Sequence, residues 1–105
     1  MYFRKVLILN LFVSLIMSQE QLGSDIDGEV AGDNSGGSVS LDSDGDRVAI
    51  GGYFNDGSYS DAGHVRIYEY SGGTWSRLGS DIDGEAAGDQ SGVSVSLDSD
   101  GDRVA

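Results

Sequence analysis

The residues with the clearest chemical potential are eight carboxylates that occur as two closely spaced groups. Calcium takes about six to eight oxygen ligands, often from alternating carboxylates on a tight loop that contains glycine. Like charges at such short spacing repel, and a bound cation would relieve that repulsion. A surface turn without metal is the first interpretation, but no turn type requires three carboxylates so close together, so these groups are the main candidates for a calcium site. These junction carboxylates are Asp25, Asp27, Glu29, Asp33, Asp81, Asp83, Glu85 and Asp89.

In a second pattern, aspartates occupy every other position of a short stretch that contains Asp-Gly. The glycine falls at the fourth place rather than the sixth, so the pattern differs from an EF-hand loop. Asp-Gly is also what hairpin turns are made of, and we interpret these stretches as turns first and as calcium loops second. The residues are Asp42, Asp44 and Asp46, repeated as Asp98, Asp100 and Asp102.

Residues typical of catalysis are sparse. His64 is the single histidine and there is no cysteine, so we interpret His64 as an ordinary residue at the start of a strand. No G-x-S-x-G elbow or phosphate-binding glycine loop is present. We expect a protein that is not an enzyme.

One long stretch of sequence occurs twice. Leu22–Ala49 and Leu78–Ala105, here the first and second copy, are offset by 56 residues and differ at only three positions. A fixed period of this length predicts a repeat architecture.

The first copy contains a predicted hairpin. Residues 38–42 alternate polar and apolar side chains, Asp44-Gly45 follows, and a second alternating run begins at Asp46. A two-residue type I′ turn at Asp44-Gly45 would bring apolar residues together on one face and opposite charges together on the other. The expected pairs are Leu41 with Val48, Val39 with Ile50, and Asp42 with Arg47.

A second hairpin is predicted around Gly72-Gly73. It sets Tyr70 opposite Trp75 and Ile67 opposite Leu78. One period then holds four short strands, which is the pattern of a four-stranded antiparallel blade of a β-propeller. The predicted all-β chain has strands at about 37–42, 46–53, 64–70 and 74–79.

The N-terminus and the charge indicate an extracellular protein. Residues 1–18 have a basic start and a short apolar run, which is typical of a secretory signal peptide, with an uncleaved anchor as the alternative. All 18 acidic residues follow Ser18, and the whole chain carries a net charge of −12. Such a surface repels nucleic acid and anionic lipid, so we expect no nucleic-acid partner and no membrane partner after signal cleavage.

The repeat divides the chain into unequal parts. We interpret 19–35 as the end of a preceding blade with an inter-blade loop, 36–91 as one blade, and 92–105 as the truncated first hairpin of the next. A propeller closes with about four to eight blades, so we expect a fragment of a longer protein. The alternative is that the open edge is buried against other copies of the chain.

Four stretches together resemble an FG-GAP repeat, the blade unit of the integrin α-subunit propeller. They are Ser35–Leu41, Gly45–Gly52, Asn55-Asp56 and Gly63–Tyr68. The resemblance implies a seven-bladed extracellular propeller, calcium-bearing blade loops and a role in adhesion.

The near-identity of the two copies bears on function. An active site needs unlike residues that converge from different places, whereas these copies offer the same residues twice. We expect non-enzymatic binding or adhesion, with a protein or glycan at the cell surface as partner. The alternatives are a hydrolase-like enzyme whose active site lies in further blades, and a structural surface protein ordered by calcium.

Overall fold

One open β-sheet forms the body of the molecule. The computed structural model of this chain describes residues 20–105, so the predicted signal peptide, 1–18, lies outside the described residues. The sheet contains four strands in chain order, each antiparallel to its neighbour, and the described residues include no helix. The prediction of an all-β chain is confirmed. The strands are β1 (Ser38–Leu41), β2 (Arg47–Gly52), β3 (His64–Ser71) and β4 (Thr74–Asp83).

No described segment forms a helix with the length and apolar character needed to cross a membrane.

The register of the first hairpin follows the apolar pattern. Leu41 lies opposite Val48, and Val39 lies opposite Ile50, as predicted. Directly opposed residues share a face, so these four apolar side chains lie together. The turn between β1 and β2 fixes this register, because turn type and loop length determine which residues of a hairpin lie opposite each other.

The turn of this hairpin differs from the prediction. Gly45 N–H donates to Asp42 O at 3.3 Å, and Gly45 has a φ of 74° while Asp44 has no positive φ. This is a type I turn followed by a left-handed glycine, not the expected two-residue type I′ turn. The pairing of Asp42 with Arg47 is kept, because Asp42 N–H donates to Arg47 O at 3.1 Å.

The predicted charge pair between Asp42 and Arg47 is present without a direct ion pair, since the Glu69 hydrogen bond raises the pKa of Arg47 most and the charge of Asp42 adds to that shift. Arg47 Nε donates to Glu69 at 2.9 Å, and Glu69 is its direct neighbour across β2 and β3. The short Asp42 side chain instead accepts the N–H groups of Asp46 and Arg47, each at 3.1 Å. An aspartate beside a turn commonly satisfies the turn's own backbone donors in this way.

The second hairpin matches the prediction. Gly72 and Gly73 have φ values of 61° and 87°, which a type I′ turn requires. Tyr70 lies opposite Trp75 and Ile67 opposite Leu78. The two aromatic rings pack with centroids 5.2 Å apart and planes tilted by 54°, a geometry that aromatic pairs favour.

Strand β4 continues past its predicted end at residue 79. It reaches Asp83, and Ile82 pairs with Val65 beyond a bulge in the β3–β4 ladder. The sequence LGSDID forms this part of β4 at 78–83, yet the same six residues at 22–27 form no strand. The difference arises because β3 supplies hydrogen-bonding partners to the later stretch.

The sheet has two faces of different character. Direct cross-strand pairs share a face, so the pairings define both sets. The serine face includes Ser38, Ser40, Arg47, Ala49, Gly51, Val65, Ile67, Glu69 and Leu78. The valine face includes Val39, Leu41, Val48, Ile50, His64, Arg66 and Tyr68.

The hairpin of the second copy, 92–105, lies on the serine face. Ser38 Oγ donates to Gly92 O at 2.6 Å, and Leu97 N–H donates to Ser40 Oγ at 2.9 Å. Apolar side chains from both sides also line a cavity of about 290 Å³ between the sheet and this hairpin. Those apolar side chains are Ile67, Leu78, Leu97 and Val104.

Two glycines allow this contact. A Cβ atom on Gly51 would lie 2.0 Å from Gly92 O, and a Cβ on Gly92 would lie 2.4 Å from His64 O. Gly92 also has a φ of 89°. Glycine permits both the close backbone approach and the positive φ.

The repeat provides a matched test of this contact. Gly36 is the equivalent of Gly92, with a φ of 86° and no atom within 4 Å of an added Cβ. Gly36→Ala and Gly92→Ala should both incur about 1 kcal/mol or more of backbone strain. Only Gly92→Ala adds steric overlap, which should lower the free energy of unfolding by roughly a further 1–3 kcal/mol. Urea denaturation measures both losses, and equal losses would show that the close approach is unimportant.

Candidate functional site

The first-copy junction carboxylates make separate contacts. Asp25 accepts a hydrogen bond from Gln21 Nε2 at 2.8 Å. Asp33 is only 5% exposed and accepts from Asn55 Nδ2 at 2.7 Å, so it anchors the segment before β1 to the loop after β2. Asp27 is exposed and accepts no hydrogen bond within residues 20–105. These oxygens do not converge on one point.

The second-copy junction carboxylates are also spread out. Asp81 and Asp83 belong to β4, while Glu85 and Asp89 lie in the loop that follows. Asp89 accepts the N–H of Ala86 at 2.9 Å and so stabilises that loop. Of the eight junction carboxylates, only Glu29 and Asp81 belong to a group of converging ligand atoms within the described part of the chain.

Arg66 links Glu29 and Asp81 by donating hydrogen bonds to both carboxylates. Arg66 donates from Nε to Asp81 Oδ1 at 2.7 Å and from Nη2 to Asp81 Oδ2 at 2.9 Å, and its Nη2 also donates to Glu29. Arg77 Nη1 donates to Asp81 at 3.0 Å. The buried His64 Nδ1 lies 3.6 Å from Asp81 Oδ2 and has no hydrogen-bond partner among the described residues. We call these five residues the junction cluster.

The junction cluster is better suited to joining chain segments than to holding a metal. Ligand atoms of Glu29, His64 and Asp81 lie within 4.8 Å of one another, but Arg66 already pairs with both carboxylates. The hydrogen bond from Arg66 lowers the pKa of Asp81, although burial opposes the shift. The same bond raises the pKa of Arg66. A divalent cation would have to displace a paired guanidinium.

Sequence reasoning missed this cluster. His64 was expected at an ordinary strand start, but β3 is an inner strand and His64 is 4% exposed. Alternation does place His64 and Arg66 on one face of β3. Their carboxylate partners come from residues 15 to 37 positions away, a distance over which local spacing carries no signal.

The Asp-Gly loops have a different architecture, and it occurs twice. We call Asp42–Arg47 the first Asp loop and Asp98–Arg103 the second. In the second, Asp98 Oδ1 accepts the N–H groups of Asp102 and Arg103, each at 3.0 Å, as Asp42 does in the first. In each loop the three aspartates place carboxylate oxygens within 4.8 Å of one another. The Asp loops, which we interpreted as turns first and as calcium loops second, therefore hold convergent oxygen ligands.

Hydrogen bonding within each loop separates the pKa values of its carboxyls. In the first loop, a hydrogen bond to the Asp42 side chain raises the pKa of Asp46, with burial and neighbouring charge adding to the shift. Burial alone would raise the pKa of Asp42, but hydrogen bonds, among them that from Arg47 N–H, outweigh it and lower that pKa. The second loop shows the same two directions. At neutral pH each loop carries crowded negative charge that a cation would relieve.

The two Asp loops lie side by side. Ser43 donates to Ser99 O from its N–H at 3.1 Å and from Oγ at 2.8 Å. Arg47 Nη1 donates to Gly101 O at 3.1 Å. Equivalent positions of the two copies are thus in contact, and we call their two groups of aspartates together the acidic ridge. The acidic ridge consists of Asp42, Asp44, Asp46, Asp98, Asp100 and Asp102.

The structure thus defines an all-β repeat chain with acidic clusters whose geometry could hold a metal ion. Comparisons of the chain with protein-family models, curated proteins and solved structures find no match. The FG-GAP resemblance and the assignment to a propeller blade stay predictions.

The junction cluster generates a pH-dependent prediction. Because Arg66 lowers the pKa of Asp81, this carboxylate stabilises the fold above its ordinary pKa of about 3.9, and the stabilisation is lost as pH falls through the lowered value. Asp81→Asn should lower the free energy of unfolding at pH 7 by about 1.5–3 kcal/mol, the range for a hydrogen bond to a charged group. The gap from the unmodified chain should close toward pH 2.

Urea denaturation at several pH values measures the gap. Asp25→Asn removes the same charge where the only hydrogen bond from residues 20–105 comes from Gln21, so it should have a small effect. A gap for Asp81→Asn that stays constant with pH would contradict a role for the ionised carboxylate.

Proposed function

We propose that this chain belongs to an extracellular β-propeller repeat protein that binds a protein or glycan at the cell surface without catalysis, and that calcium stabilises it. The signal-peptide pattern of residues 1–18 and the net charge of −12 support an extracellular location. Four strands within a 56-residue period support the blade.

The acidic ridge is the observation that carries this proposal. Two loops of equal sequence are held in contact by Ser43 and Ser99, so the same oxygen ligands are presented twice along one edge. A regular array of identical groups suits repeated binding contacts, whose strengths combine when they are linked. Catalysis requires unlike groups around one reacting atom.

Calcium fits the chemistry of the ridge. Its ligand atoms are carboxylate oxygens, which calcium prefers over nitrogen or sulfur. Asp44 and Asp46 are exposed, while Asp42 is held in place by backbone donors. The ion can therefore approach from solvent without displacing an arginine.

The calcium proposal predicts a change in thermal stability. Extracellular calcium modules bind with dissociation constants of about 0.1–1 mM. For one such site, about 10 mM calcium should add roughly 1.4–2.7 kcal/mol by mass action, which raises the melting temperature of a domain this size by about 5 °C or more. Circular dichroism melts with calcium and with chelator measure the shift.

Paired variants locate the site. Asp44→Asn with Asp100→Asn removes one charge from each Asp loop and keeps a residue that favours turns, so the calcium shift should fall by about half or more. Asp27→Asn with Asp83→Asn removes equal charge from the junction carboxylates and should leave the shift intact. If the second pair abolishes the shift, the junction carboxylates hold the ion. If calcium gives no shift in the unmodified chain, the carboxylates serve only as turn residues.

The binding role predicts attachment of the chain to cell surfaces. Fluorescently labelled chain should bind cells saturably, and binding should weaken with chelator because the loops lose order. Treating the cells with protease or with glycosidases separates a protein partner from a glycan partner. Turnover of a polysaccharide or ester by the chain would overturn the non-enzymatic role.

A further inference from the structure

We propose that Asp27 is a site of spontaneous covalent modification, at which aspartate converts to isoaspartate through a cyclic imide with Gly28. The equivalent dipeptide of the second copy, Asp83-Gly84, is protected from the same reaction by strand pairing. The chain reads LGSDIDGE both at 22–29 and at 78–85. A difference in reactivity between the two dipeptides therefore arises from the fold and not from the local sequence.

The reaction needs only groups of the chain and water. The backbone nitrogen of Gly28 loses its proton and bonds to Cγ of Asp27, and one carboxyl oxygen leaves as water. Water then adds to either carbonyl of the imide ring. Breaking the bond from nitrogen to Cγ restores aspartate, whereas breaking the bond from nitrogen to the α-carbonyl carbon leaves isoaspartate. Water is released once and taken up once, and glycine favours the closure because no Cβ crowds its nitrogen.

The first-copy dipeptide has both reacting groups free. The Gly28 N–H donates to no acceptor within residues 20–105, and the Asp27 carboxylate accepts no hydrogen bond there. Both residues are exposed, and residues 25–28 belong to no strand or turn. Segments with few buried contacts and few backbone hydrogen bonds rearrange at low cost in free energy. The nitrogen can therefore reach Cγ without breaking a hydrogen bond to the described part of the chain.

The second-copy dipeptide has its nitrogen engaged. The Gly84 N–H donates to Gly63 O at 2.9 Å, and Asp83 pairs with His64 at the end of β4. Gly84 is also buried, and a Cβ atom there would lie 2.0 Å from Ala62 O. Ring closure would break the hydrogen bond and turn the end of β4 away from β3. It must therefore wait for local opening of the sheet.

The other Asp-Gly dipeptides are restrained at nitrogen as well. In each, the glycine N–H donates to an oxygen of a residue that precedes it by two or three positions. These hydrogen bonds run from Gly45 to Asp42 O at 3.3 Å, from Gly57 to Asn55 Oδ1 at 2.8 Å, and from Gly101 to Asp98 O at 3.1 Å. Asp27-Gly28 is thus the one Asp-Gly dipeptide whose nitrogen has no acceptor among residues 20–105.

Incubation of the whole chain, folded and unfolded, tests the proposal. Trypsin separates the copies, because the fragments that end at Arg47 and at Arg103 differ in sequence. Electron-transfer fragmentation in a mass spectrometer distinguishes isoaspartate from aspartate at each dipeptide, and the imide is lighter by one water molecule. In the folded chain, isoaspartate should form at Asp27 about tenfold or more faster than at Asp83, a factor that corresponds to about 1.4 kcal/mol of opening free energy. In urea that unfolds the chain, the two rates should be equal.

Asparagine variants provide a second measurement. Asp27→Asn and Asp83→Asn form the same imide with loss of ammonia instead of water. Hydrolysis of the imide then adds one negative charge, which anion-exchange chromatography resolves. The folded Asp27→Asn chain should gain this charge about tenfold or more faster than the folded Asp83→Asn chain.

Three results would overturn the proposal. They are equal rates at Asp27 and Asp83 in the folded chain, faster conversion at any other Asp-Gly dipeptide than at Asp27, and absence of isoaspartate at Asp27 while the chain is folded.

Discussion

The close approach of two backbones at Gly51 and Gly92 is the constraint on which the arrangement of the copies depends. A side chain at either position would overlap backbone atoms of the opposing segment. The contact lets Ser38 and Ser40 form hydrogen bonds with the hairpin of the second copy, residues 92–105.

The acidic ridge depends on the same contact between the copies. Ser43 lies against Ser99, so the first Asp loop lies beside the second. Each loop contributes one group of three convergent carboxylates. The two candidate cation sites and the contact between the copies therefore belong to one packing arrangement.

Local features of the fold could be predicted from the sequence, and features that depend on distant partners could not. The turns set the pairings of Leu41 with Val48 and of Tyr70 with Trp75, because turn type and loop length fix the register of a hairpin. The hydrogen bond from Arg47 to Glu69 could not be predicted, since local spacing does not show that β3 pairs with β2 at this register. The junction cluster was missed for the same reason, because Arg66 joins carboxylates that are far apart in the chain.

The duplicated sequence shows how far context decides structure. LGSDID forms a strand where β3 lies beside it and forms none where β3 does not, while Leu41 is exposed and its equivalent Leu97 is half-buried. Intrinsic propensity is equal in each pair, so the neighbouring segments of the chain make the difference.

The surroundings of the carboxylates also limit what they can bind. Asp81 forms a direct ion pair with Arg66, whereas Asp42 and Asp98 are held by backbone N–H groups of their own loops. The remaining ridge aspartates form no ion pair among residues 20–105, so within the described part of the chain a cation gains most at the ridge.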